Sequence, residues 1–66
     1  MNTIENLTLE LKQVNANQIL ALAHLVKRIG YADLQALAAD DKEAFDMQSA
    51  VIALHYALAK RGYDPQ

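Results

Sequence analysis

Between Asn15 and Ile29 the apolar residues fall at helical spacing, with Ile19, Leu22, Val26 and Ile29 recurring every three or four positions. Projected at 100° per residue, Ile19, Leu20, Leu22, Ala23, Leu25, Val26 and Ile29 cover about 220° of the helix circumference, wider than one packing face needs. Ala21, His24 and Arg28 take the remaining side, so His24 is expected in solvent. Asn15 followed three residues later by Gln18 is a capping-box pattern and marks the expected start. Gly30 marks the expected end: glycine after the C-cap adopts the left-handed conformation at little cost, and Tyr31 would then fold back on Val26.

A shorter segment, "DLQALAAD" from Asp33, predicts one or two helical turns with Leu34 and Leu37 turned inward. Asp40 and Glu43 repeat the capping pattern and open the longest predicted helix, Asp41 to Arg61. It carries two apolar stripes, Met47–Val51–Leu54–Leu58 and Phe45–Ile52–Tyr56–Ala59, with Gln48 and His55 between them. Together they span about 200° by the same helical arithmetic. Gly62 closes this helix, with Tyr63 placed to cover Leu58 in a Schellman-type end.

One phrase therefore occurs twice, as "LVKRIGYAD" at Leu25–Asp33 and "LAKRGYDP" at Leu58–Pro65. Each Lys-Arg pair falls in a last helical turn, where the helix dipole favours positive charge, and each Gly-Tyr follows as a stop. Helix termination accounts for the phrase without a dedicated anion site.

The first fourteen residues fit two patterns. Leu7, Leu9 and Leu11 alternate with Thr8, Glu10 and Lys12, as in a half-buried strand. Ile4, Leu7, Leu11 and Val14 also fit helical spacing, in residues that form helices well. The alternation is the cleaner signal, so the expectation is a short strand or extended arm. A single strand leaves its backbone edges unpaired. Its natural mate is the same segment of a second copy, paired antiparallel.

The fold class expected is therefore mainly α: an N-terminal strand or arm (1–14) and a helical core (15–62) in one small domain. Sixty-six residues supply a modest core, and with no cysteine no disulfide can reinforce it. Surplus apolar arc on both long helices and an unpaired strand each call for a homodimer. Its expected interface is Leu7, Leu9 and Leu11 with Gln48, Ile52, His55 and Tyr56, the polar pair fixing register.

Charge and chemistry narrow the function classes. The composition is 53% apolar with one proline and two glycines, which marks a folded chain, and the formal net charge is −2. No apolar run reaches membrane-spanning length, and "MNTIENLTLELK" lacks a signal-peptide pattern, so a soluble cytoplasmic protein is expected. His55, in the apolar arc, is expected to be a core or interface histidine bonded to Gln48 or a backbone carbonyl. Two histidines and no cysteine make no zinc pattern, and "DDKEAFD" lacks the glycine and alternating ligands of a calcium loop. Ser49 has no elbow motif and neither glycine belongs to a phosphate loop. No enzyme, metal or cofactor is expected.

Two surfaces remain. Asp40, Asp41, Glu43 and Asp46 surround a helix start and form an acidic patch suited to a basic partner surface. Lys27, Arg28, Lys60 and Arg61, doubled in a dimer, would contact phosphates if the two long helices end at one pole. Nucleic acid is the less favoured partner, because the segment Asp33–Ala39 after the glycine turn offers only Gln35 as a base-reading donor.

Nearly the whole chain resembles a family of small uncharacterised bacterial proteins carried on phages, plasmids and integrative elements. The matching positions are Lys27, Arg28, Tyr31, Asp33, Asp40, Asp41, Glu43, Ala44, Phe45, Met47, Gly62, Tyr63 and Pro65, after an alternating leucine strand. The chain departs from the pattern at "KQVNANQ", where the family has a shorter acidic lead-in to the first helix. The resemblance implies no activity, but it implies a setting in which small acidic proteins bind host complexes. The expected function is thus a non-catalytic interaction protein, an anti-CRISPR-like inhibitor of a host defence complex. The alternative is a homodimeric DNA-associated accessory factor using the two Lys-Arg pairs.

Overall fold

A computed structural model describes residues 3–64 as three helices, α1 (Ala16–Arg28), α2 (Tyr31–Leu37) and α3 (Asp41–Lys60), preceded by an arm. Pro65, the last position of the family pattern, lies outside the described residues. Both α1 and α2 pack on α3.

The helix starts follow local chemistry. Asn15 Oδ1 accepts from the Gln18 amide, and Gln18 Oε1 accepts from the Asn15 amide, both at 2.8 Å, so the box is closed in both directions. At α3, Asp40 Oδ1 accepts from the Glu43 amide at 2.8 Å. Glu43 reaches one residue further back than a reciprocal box requires, and its Oε1 accepts from the amide of Ala39 at 2.8 Å.

The two glycine stops differ. Gly62 has φ +93, the Gly62 amide donates to Ala59 and the Tyr63 amide donates to Leu58, which is the paired bonding of a Schellman end. Gly30 is not left-handed. It is extended (φ −101, ψ 168) and is the N-cap of α2, so Tyr31 begins the next helix instead of folding back on Val26. The cause is Asp33, whose Oδ2 accepts from the Gly30 amide at 2.9 Å and holds the chain at a helix start. α2 consequently begins at Tyr31, two residues before the position expected.

Ala23, Val26 and Leu58 form the core, with Ile19, Leu22, Val51, Leu54 and Tyr63 packed partly buried against it. Leu34 and Ala44 are buried as well. Leu34 is inward as expected, but Leu37 is 72% exposed: it is the last residue of α2 and stands about 60° round the helix from Leu34. Of the two stripes on α3, Met47–Val51–Leu54–Leu58 faces the bundle, whereas Phe45, Ile52 and Tyr56 are exposed. Leu20 and Leu25 on α1 are exposed too, so the surplus arcs read from the sequence are real surface.

The arm forms no helix in residues 3–14, which removes the helical alternative for the described part. Nor does it pair as a strand within the single chain. It is the extended-arm form of the expectation, and Gln13 at φ +58 turns it into the cap of α1. Ile4, Leu7, Leu9 and Leu11 are all exposed along it.

Candidate interaction surfaces

Among the described residues, Ala44 at 0% and Ala23 at 1% exposed are the most deeply buried, and no large side chain is fully buried. The accessible surface is 5841 Å². Scaling for folded monomers puts a chain of 7.3 kDa near 4,200 Å², so roughly 1,600 Å² is in excess. The radius of gyration, 13.1 Å, likewise exceeds the roughly 10.8 Å of a compact chain this long.

Two grooves flank the contact between α1 and α3. The first, about 420 Å³ and widely open, is lined by Val26, Lys27, Val51, Ile52, His55, Tyr56 and Asp64. The second is a trough of about 1130 Å³ between the arm and the helices. The arm from Glu5 to Leu11, leucines and polar residues alike, forms one wall; Ala50, Ala53, Leu54 and Ala57 of α3 belong to the other. Exposed Ala50, Ala53 and Ala57 recur at helical spacing and share one face of α3.

His55 belongs to the first groove and departs from the expectation. Its side chain is 30% exposed, its Nε2 lies 3.7 Å from Asp64 Oδ1, and its ring sits tilted against Tyr56 at 6.1 Å. The histidine–carboxylate separation is longer than a hydrogen bond. The group that faces the ring is Asp64, brought back by the turn at Gly62. Gln48 is half-buried, and so is His24, which the helical projection placed in solvent.

The acidic patch is present and exposed, but its members are not equivalent. Asp40 and Glu43 each commit an oxygen to backbone amides, and Asp46 pairs with Lys42 at 3.0 Å. Asp41 alone among the four holds no capping bond or ion pair. It stands one turn before exposed Phe45, on the same side of α3 as Ile52 and Tyr56. Sequence reading placed the four acids together but missed Phe45 as their neighbour, although the spacing of four residues carries that signal.

The cations are exposed but divided. Lys27 borders the first groove, and Lys60 and Arg61 border the trough on the other side of the α1–α3 contact. Among the described residues no three of His, Asp and Glu gather as metal ligands, and no helix is long and apolar enough to cross a membrane.

Residues 1–66 match a family of unknown function, DUF7706. The chain belongs to that family. The expectation of an uncharacterised family is met by this match. No curated protein and no solved structure matches the chain.

Proposed function

We propose that this DUF7706 member is a homodimeric, non-catalytic interaction protein that docks on another protein through α3, from Asp41 through Phe45 to Ile52 and Tyr56. The supporting observation is the surplus of surface. About 1,600 Å² beyond a monomer's share exceeds the roughly 800 Å² that each partner of a standard interface buries, so there is area for a second copy and for a further partner. Exposed aromatic side chains beside an unspent carboxylate suit a partner that offers an apolar pocket rimmed by basic residues. The resemblance to mobile-element proteins directs the search to complexes of a bacterial host, defence complexes included.

The test is affinity capture from a bacterial lysate with wild-type protein and with Asp41→Lys and Phe45→Asp. Both positions are exposed and hold no cap, so neither substitution removes a core contact or a capping bond. A partner retained by the wild type and lost by both variants is the expected result. Retention by both variants, or no partner at all, overturns the docking face. A DNA-associated role has less support, because Lys27 and Lys60 border different grooves. Binding of duplex DNA at low salt, lost with Lys27→Glu and Lys60→Glu, would replace the protein-docking reading.

A further inference from the structure

One wall of the trough is the arm, where Leu7, Leu9 and Leu11 alternate with Asn6, Thr8 and Glu10, and Leu9 is 69% exposed; the alanine face of α3 stands on the other side. Covering the exposed leucines and alanines of this opening of about 1130 Å³ would remove apolar surface from water. We propose that the trough is closed by the arm of a second copy: the two arms pair antiparallel about Leu9, and the leucine face of the ribbon seats on Ala50, Ala53 and Ala57. This rests on the homodimer reading above and names the surfaces that carry it.

The register follows from the side chains. Centring the pair on Leu9 sets Leu9 opposite its own copy and Leu7 opposite Leu11 of the other arm, so that all three leucines share one face. On the reverse face Thr8 then meets Glu10, and Asn6 meets Lys12. Sliding by two residues one way sets Leu11 against Glu5. Sliding the other way sets Leu7 against Gln13 and Glu10 against its own copy, a like-charge pair. Gln13, left-handed at φ +58, ends the extended stretch immediately after Lys12.

Size agrees with this occupant. The alanines present no bulk, so a ribbon bearing leucines can approach α3 closely, large side chains meeting small ones. The outer stripe of Phe45, Ile52 and Tyr56 is left open for the protein partner.

The chain contains no cysteine, so a single introduced thiol reports on geometry without background. Leu9→Cys, exposed and outside the core, is oxidised with copper–phenanthroline beside Ile52→Cys, and wild type is sedimented at micromolar concentration. The expected result is at least a tenfold faster disulfide-linked dimer from Leu9→Cys than from Ile52→Cys. In an equimolar mixture, Leu7→Cys and Leu11→Cys should link to each other in preference to themselves. If wild type sediments as a dimer but Leu9→Cys links no faster than Ile52→Cys, the arm ribbon is wrong and the homodimer stands. If wild type sediments as a monomer, both fall.

Discussion

The amide of Tyr63 donates to the carbonyl of Leu58 at 2.9 Å, so the turn at Gly62 lays the tyrosine over the leucine that anchors the core. The matching phrase at Gly30 makes a different structure from the same letters. There the glycine amide donates forward, to Asp33.

One substitution tested at the two glycines should therefore give unequal effects. Gly62→Ser forces a side chain into positive φ and should destabilise by about 1 kcal/mol. Gly30→Ser sits at an extended N-cap, where a new Cβ meets only Asp33 Oδ2 at 3.6 Å. Its hydroxyl adds a cap, so the change should be neutral or stabilise by a few tenths of a kcal/mol. Thermal melts compare them directly, about 1 kcal/mol being roughly 4–8 °C in a domain this small.

Asn15→Ala should cost about 1 kcal/mol, because the Gln18 amide loses its acceptor, whereas Asn15→Asp keeps an oxygen in place and should cost far less. Helical circular dichroism against urea reads the difference.

Leu34→Ala should lose about 2 kcal/mol or more, a buried leucine being replaced by a cavity. Leu37→Ala, three residues on and exposed, should change stability by less than about 0.5 kcal/mol. Equal losses at both positions in denaturant titrations would contradict the packing of α2.

These pairs also show what could be read beforehand. Asn15 with Gln18 and Asp40 with Glu43 are bonds made within three residues, so the helix starts were legible. The Schellman end at Gly62 was equally local. Gly30 was misread because a glycine between two helices can end one or begin the next, and the choice lay with Asp33 downstream. Leu37 was misplaced because the face a two-turn helix presents depends on how α2 lies against α3, a tertiary matter that periodicity does not contain. The exposed stripe of Ile52 and Tyr56 was foreseeable as surplus arc. Which molecule covers it is a property of another surface.

Ala23 and Ala44 are buried almost completely, and each is constrained towards both larger and smaller residues. Extra methylenes in a filled interior cost about 1–3 kcal/mol, and glycine loosens the backbone by about 0.5–1 kcal/mol. In a library of every single replacement, those two columns should be the emptiest, sparser than the leucines and tyrosines around them. The least conspicuous side chains in this protein are the ones with nowhere to go.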